Sequence, residues 1–218
     1  MKKMLVVFVS AFMMIALFSC AQQVKKMPKE KKAAAVDLSK LSQATLASGC
    51  FWCMEGVYES VKGVQEVVSG YAGGKEPNPT YEQVGSHTTG HAETVQVYYD
   101  SSVVSYATLL KVYFASQDPT QVNGQGPDIG VSYRSIIFYR TPEEKMEAEK
   151  YIAGIQKNYT QPIAAQLLPF EKFWKAEDYH QDYTLNNPDV PYVKMESIPR
   201  IKRFQKQLPE LIKPDHKF

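Results

Sequence analysis

The chain has 218 residues, 25 Lys and Arg against 23 Asp and Glu, a formal net charge of +2 and three cysteines. Such a balance gives no footing for a nucleic-acid surface, and the mildly basic stretch from Lys194 onward reads as a solvated surface helix. The length allows one domain with a sizeable core, and no internal repeat is visible.

Lys2 and Lys3, an apolar run from Met4 to Phe18, and Ser19-Cys20 follow the charged, hydrophobic, small order of a secretory signal peptide. The run has fifteen residues with Ser10 inside it, short of the roughly 20 that a membrane span needs. Leu17-Phe18-Ser19-Cys20 resembles the lipobox of bacterial lipoproteins, in which the cysteine carries the lipid and becomes the first mature residue; Phe18 departs from that pattern. The expectation is a signal peptide over 1–19, lipidation at Cys20, and an exported, periplasm-facing protein anchored to a bacterial membrane. A cleaved soluble signal and an uncleaved anchor are the alternatives. Lysines 25, 26, 29, 31 and 32 argue against the uncleaved anchor, because positive charge favours the cytoplasmic side. Residues 20–43, rich in Lys, Ala, Gln and Ser, cannot bury enough apolar surface to fold and read as a lipidated cysteine followed by a flexible tether. The folded domain is expected over 44–193, with a C-terminal extension over 194–218.

Gln43 to Ser48 reads as a short strand, Gly49 as a turn and Phe51 to Val61 as a helix. Gly63 to Gly70 is a strand bounded by glycines, Tyr71 to Thr80 a Gly/Pro loop, and residues 91–99 the clearest strand. Ser105 to Ser116 has helical periodicity, Asp118 to Ser132 is a long loop of the kind that carries function, and Tyr133 to Tyr139 is a further strand. At Thr141-Pro142-Glu143-Glu144 a helix starts in which Thr141 caps, Pro142 suits the first turn and Glu144 completes a capping box; it runs to about Asn158. Pro162 to Leu168 reads as a strand, Ala176 to Tyr183 as a short helix and Ile198 to Leu208 as a last helix. This order predicts an α+β two-layer sandwich, helices packed on a mixed or largely antiparallel sheet.

Gly49-Cys50-Phe51-Trp52-Cys53 sets a thiol at a strand-to-helix junction, among unpaired backbone N–H groups at the positive end of a helix dipole. There a thiol pKa of about 8.5 should fall and the nucleophilic thiolate be favoured. With Cys20 used by lipid, Cys50 and Cys53 remain as a pair at i and i+3 on one helical face, near enough to join after modest fraying. A structural disulfide is the bland alternative, but it would close too small a loop to stabilise much, and Phe51 and Trp52 beside it suit a redox pair better.

In His91 to Tyr99, strict alternation puts Glu93 on the face of Val95, Val97 and Tyr99. On a buried face that carboxyl loses its hydration, its pKa rises, and it becomes a proton donor. The alternative is a solvated carboxylate at the strand mouth or one paired with a lysine. Tyr81, Asp128 and Tyr133 lie in or beside loops, either as site residues or as ordinary packing. His91 and His180 are ligands, bases or surface residues. One Cys-x-x-Cys without a second ligand pair supplies half a zinc site, so neither metal nor cofactor is expected.

Gly49-Cys50-Phe51-Trp52-Cys53-Met54-Glu55, Gly70-Tyr71-Ala72-Gly73-Gly74, Asn78-Pro79-Thr80-Tyr81, Gly90-His91-Ala92-Glu93, Asp118-Pro119-Thr120-Gln121, Asp128-Ile129-Gly130, Tyr133-Arg134-Ser135 and Ala176-Glu177-Asp178-Tyr179-His180-Gln181 resemble, in order, the motifs of the A-type peptide methionine sulfoxide reductases. The resemblance runs from about Thr45 to Tyr192. It implies a ferredoxin-like α+β fold and reduction of the S epimer of methionine sulfoxide, in oxidised proteins or as the free amino acid. It implies Cys50 as nucleophile, Glu93 as acid, Tyr81 and Tyr133 as donors to the sulfoxide oxygen, Asp128 as organiser of that network, and Phe51 with Trp52 as the wall for the substrate methyl group. Many relatives carry Gly where Cys53 stands and resolving cysteines in the tail. This tail has none, which leaves Cys53 to resolve a Cys50 sulfenic acid and a thioredoxin-like donor to reduce the disulfide. The rival readings are a thioredoxin-type thiol-disulfide oxidoreductase, which the tryptophan between the cysteines and the Glu93 strand fit poorly, and an exported binding module with a structural disulfide.

Overall fold

The computed structural model describes residues 37–216; the expected signal peptide, Cys20 and the tether through residue 36 lie outside them. In chain order the elements are β1 (Ser42–Ala47), α1 (Phe51–Glu59), β2 (Val64–Ala72), α2 (Tyr81–Gly85), β3 (Ala92–Tyr99), α3 (Tyr106–Ala115), the two-residue strands β4 (Gly124–Gln125) and β5 (Asp128–Ile129), β6 (Ile136–Tyr139), α4 (Pro142–Gln156), β7 (Gln166–Pro169), β8 (Phe173–Lys175), α5 (Tyr183–Asn186) and α6 (Ile198–Gln207). Six strands form one sheet in the order β7-β6-β1-β3-β2-β8. All neighbours are antiparallel except β6 and β7, so the sheet is mixed, and the fold is α+β with helices packed on it.

Alternation along the strands sorts two apolar clusters. Ala44, Leu46, Val95, Val97, Tyr99 and Ile137 face the helices, where Met54, Val57, Tyr58, Leu109, Leu110, Tyr113, Ile201 and Phe204 complete the main core. On the opposite face, Ala47, Ala72, Ala92, Ile136 and Phe138 pack under Leu168, Phe170 and Phe173. Both faces of β3 are therefore largely covered, and Glu93 is the carboxyl on the helix-covered one.

Local order differs from the sequence reading where tertiary pairing extends or breaks an element. The strand β2 continues through Tyr71 and Ala72, because Tyr71 pairs with Glu93 on one side and Trp174 on the other. Tyr133 lies in a 3-10 turn (Val131–Tyr133) and not in β6. The expected helix over Ala176 to Tyr183 is a 3-10 turn at Asp178–His180 followed by α5. Thr141 caps α4 through Glu144 N–H, but the Glu144 carboxylate takes the N–H of Arg140 instead of closing a capping box. Strand β1 begins at Ser42, two residues inside the expected tether.

The stretch after Lys194 is core, and not an appendage. A π-helical turn (Val193–Ser197) runs into α6, whose Ile201 and Phe204 are fully buried. A Cβ on Gly56 would lie 2.6 Å from Ile201 Cδ1, so this glycine lets α6 close on α1. Its helix-propensity cost of about 1 kcal/mol against alanine is small beside roughly 1.5–3 kcal/mol for burying each large apolar side chain. Beyond α6, Ile212 bridges Val61, while Lys62 N–H donates to Leu211 O and Lys213 N–H to Ser60 O.

Next to α5, the buried Glu55 carboxyl accepts from Ser69 Oγ and from Tyr183 N–H, each at 3.2 Å. Burial pushes its pKa up to about 8 against these hydrogen bonds. The unfolded chain ionises Glu55 from about pH 4.3 upward while the folded protein keeps it neutral to about pH 8, so stability falls across that window. In thermal melts between pH 4.5 and 9, Glu55→Gln is expected to lose stability less steeply with rising pH than the parent, and equal slopes would remove Glu55 from this account.

Candidate active site

The turn from β1 into α1 needs a left-handed residue with no side chain. Gly49 has φ +64°, and a Cβ there would meet Gln125 Cβ at 2.5 Å. Gly49 N–H donates to Tyr133 O (3.1 Å), which ties the turn to the loop before β6. Cys50 follows as the N-cap of α1 in extended conformation, without a side-chain cap. The first turn's Phe51 N–H donates to Glu93 Oε2 at 3.0 Å. The helix start thus faces the carboxyl on β3, one residue from the sulfur.

Burial works against the acidic Cys50 expected at a helix start. Its side chain is 6 % exposed, and burial raises its pKa well above the usual thiol range; the hydrogen bond with Cys53, the charge of Cys53 and the nearby Glu93 raise it further. Desolvation outweighs a helix dipole worth about 0.3–1 kcal/mol. The easily ionised thiol is Cys53, 3 % exposed. The hydrogen bond from Cys50 lowers its pKa most, Arg200 and Ser197 lower it further against burial, and the result is about 7. Both thiols are free, and the Cys53 thiol donates to Ser197 Oγ at 3.1 Å. The two thiols titrate as a coupled pair, so a charge on either opposes ionisation of the other.

Glu93 is 2 % exposed, and burial pushes its pKa up to about 8 despite the hydrogen bond from Phe51; Asp128 and Cys53 add to the rise. It is a neutral acid at physiological pH. Half-buried Tyr81 and Tyr133 both lie within electrostatic reach of Glu93, Cys50 and Asp128, and burial holds both phenols protonated. Asp128, on β5, accepts from Tyr192 Oη at 2.6 Å, so its hydrogen bond runs to Tyr192 and not to the two tyrosines it was expected to organise. The Tyr192 hydroxyl also bears on Cys50, whose pKa it lowers against the larger effect of burial.

Phe51 is buried and Trp52 half-buried. Trp52 stacks on Tyr183 (3.8 Å between centroids, 9° between planes) and meets Tyr192 edge-on. Its indole N–H donates to His180 Nδ1 at 3.1 Å, which puts the proton of neutral His180 on Nε2. Burial keeps His180 neutral although Glu177 Oε2 is 3.8 Å away. Glu177 accepts from Tyr71 Oη and from Tyr81 N–H, anchoring the start of α2 beside Phe51. His91 is structural: its Nδ1 accepts from Gly74 N–H and its Nε2 donates to Glu76 O.

Cys50, Cys53, Glu93, Tyr81, Tyr133, Asp128, Phe51 and Trp52 thus gather around one helix start. The sequence reading assigned no role to Glu177, Tyr192, Ser197 or Arg200. For the last two a signal existed: Ser197, Arg200, Ile201 and Phe204 share one helical face, so the serine and arginine point inward with the apolar residues.

A family model for peptide methionine sulfoxide reductases matches residues 42–211. The chain belongs to this family. The peptide methionine sulfoxide reductase MsrA of Saccharolobus solfataricus is 47 % identical over 170 residues, covering 78 % of this chain and 96 % of that protein. The MsrA of Leptospira borgpetersenii serovar Hardjo-bovis is 48 % identical over 166 residues, 76 % and 94 % of the two chains. Among solved structures, Mxr1 from Saccharomyces cerevisiae in reduced form superposes with a TM-score of 0.65 at 33 % identity over 72 % of this chain and 92 % of that one. Methionine sulfoxide reductase A of Corynebacterium diphtheriae gives 0.60 at 32 %, over 67 % and 74 %. The chain is an oxidoreductase that reduces methionine sulfoxide.

A proton supplied by Glu93 is available only below its pKa of about 8. Single-turnover methionine formation is expected to fall as pH rises through 8, and Glu93→Gln to be slower by about 10²–10⁴-fold. Rapid-quench measurement checks both, and an unchanged rate in the variant would exclude Glu93 as the acid.

Proposed function

We propose that this chain reduces the S epimer of methionine sulfoxide, in oxidised proteins or free, with Cys50 as nucleophile and Glu93 as acid. The observation that carries this reading is the Phe51 N–H to Glu93 Oε2 hydrogen bond, which sets a neutral carboxylic acid one residue from a buried sulfur at the helix start. A sulfoxide sulfur becomes electrophilic when its oxygen receives a proton as the thiolate attacks. Cys50 attacks that sulfur, its proton passing to Cys53, while Glu93 protonates the oxygen. The substrate sulfur gains two electrons and leaves as methionine, and Cys50 keeps the oxygen as a sulfenic acid. Phe51 and Trp52 offer an apolar wall to the methyl group, and Tyr81 and Tyr133 offer hydroxyls to the oxygen. Asp128 acts on the site through Tyr192.

Cys53 then attacks the Cys50 sulfur; an S–S bond forms, the S–O bond breaks, and the oxygen leaves as water after taking a proton. A thioredoxin-like dithiol donor reduces the disulfide, since a vicinal cysteine pair calls for a two-electron exchange partner. We read the order β6-β1-β3-β2 of the central strands, with α1 joining β1 to β2, as a ferredoxin-like arrangement. For localisation the support is sequence alone: the Leu17-Phe18-Ser19-Cys20 segment favours a lipid-anchored, exported enzyme facing the periplasm.

Epimer-resolved chromatography with dithiothreitol is expected to show loss of the S form only. Cys50→Ser should form no methionine. Cys53→Ser should form one methionine per enzyme and then stall with thioredoxin as donor, and undiminished thioredoxin-driven turnover of that variant would exclude it as resolver. For the anchor, full-length protein should incorporate labelled palmitate in a bacterial host and lose the label in Cys20→Ala; a wild-type protein without label would overturn this assignment.

A further inference from the structure

Arg200 is 5 % exposed, yet no carboxylate lies within 4.0 Å of its guanidinium among the described residues. All its hydrogen bonds go to neutral acceptors: Nε to Ser116 O (2.7 Å), Nη1 to Ser48 O (2.9 Å), and Nη2 to Ser48 Oγ (3.1 Å) and Met54 Sδ (3.2 Å). These contacts pin the cation behind the β1–α1 turn. A buried guanidinium that is always charged needs an anion nearby, or the desolvation penalty of several kcal/mol stands uncompensated. Arg200 and Cys53 line the same cavity of about 30 Å³, together with Gln125, Asp128, Tyr192 and Arg203.

The charged and titratable groups around Cys53 are few. Cys50 at the N-cap of α1 is its hydrogen-bond partner, Glu93 on β3 interacts with it electrostatically, Asp128 comes from β5, Tyr192 from the segment before the π-helical turn, and Glu196, Arg200 and Arg203 from the last helical stretch. Asp128 is the other anion that Arg200 favours, but it already takes the hydroxyl of Tyr192. Cys53, by contrast, has among the described residues only Ser197, to whose Oγ its thiol donates, and Cys50 as hydrogen-bond partners, and Arg200 is the cation that bears on it.

We infer that Arg200 is the counter-cation of a Cys53 thiolate, a positioning residue that keeps the resolving sulfur ionised and so sets the rate of disulfide formation. This rests on Cys53 as resolver. The thiolate attacks the Cys50 sulfenic sulfur, and hydroxide leaves to be protonated to water. In the protonated state Cys53 is a poor attacker and the sulfenic acid persists.

The test isolates Cys53 in a Cys50→Ser background and follows thiolate absorbance at 240 nm against pH. Arg200→Gln is expected to raise the Cys53 pKa by about one unit or more, and Arg200→Lys to bring it back most of the way. A lysine keeps the charge but cannot bridge Ser116 O, Ser48 O and Met54 Sδ, so a purely structural role would leave the lysine variant as perturbed as the glutamine one. Should Arg200→Gln not fold, the lysine variant alone decides: a Cys53 pKa close to the parent's supports the inference, and one raised by a unit or more overturns it. In enzymes with both cysteines, the dimedone-trappable Cys50 sulfenic acid should live about tenfold longer at pH 7 in Arg200→Gln than in the parent, with the difference closing near pH 9.5, where Cys53 ionises unaided. Equal titrations, or equal lifetimes at pH 7, would overturn the inference. The titration reads the effect of Arg200 whether or not Cys53 resolves, so it fails separately from the resolver assignment, which stalled turnover of Cys53→Ser decides.

Discussion

The hydrogen bond from Phe51 N–H to Glu93 Oε2 joins the two elements on which the site depends. It locks the first turn of α1 to the buried face of β3, across a sheet whose pairing of β1, β3 and β2 sets their separation. One donor of the helix start is thereby spent on the carboxyl. The hydrogen bond pulls the Glu93 pKa down, burial pushes it up, and burial prevails. A neutral acid beside the sulfur is the result of that contest.

Negative charge in this pocket is rationed by burial. Cys50, Cys53, Glu93 and Asp128 are close enough for each ionisation to oppose the others. Arg200 is the buried cation that bears on Cys53 and Asp128. Burial and the neighbouring anions raise the pKa of Cys50, while Arg200 and Ser197 favour a charge on Cys53. A helix N-terminus alone, worth about 0.3–1 kcal/mol, does not set the acidity of a fully desolvated thiol.

Around Cys50, aromatic rings are held by polar pins. Trp52 is fixed by Tyr183 on its face and by His180 at its N–H, and Glu177 ties Tyr71 to the start of α2 where Tyr81 stands. Rings kept in place by buried hydrogen bonds lose little further entropy when another group packs on them.

The sequence by itself determined the strand-turn-helix that presents Cys50, the inward face of Glu93, the α+β order of elements and the family, because period-two alternation, a turn glycine and ordered motifs are local signals. Burial of Glu93 follows from its register with Val95 and Val97, and needs no knowledge of what covers them. The acidity of the two thiols was decided only by the tertiary structure, since it depends on how far α6 closes on α1 over Gly56 and on a cation about 150 residues away in sequence from the cysteine it bears on. Tyr192 and Arg200 carry no motif that names their partners. The capping of Thr141 was legible, but the reach of Glu144 to Arg140 was not, and neither was the extension of β2 through Ala72, because both are settled by neighbours distant along the chain or by backbone geometry that forms only when the sheet does.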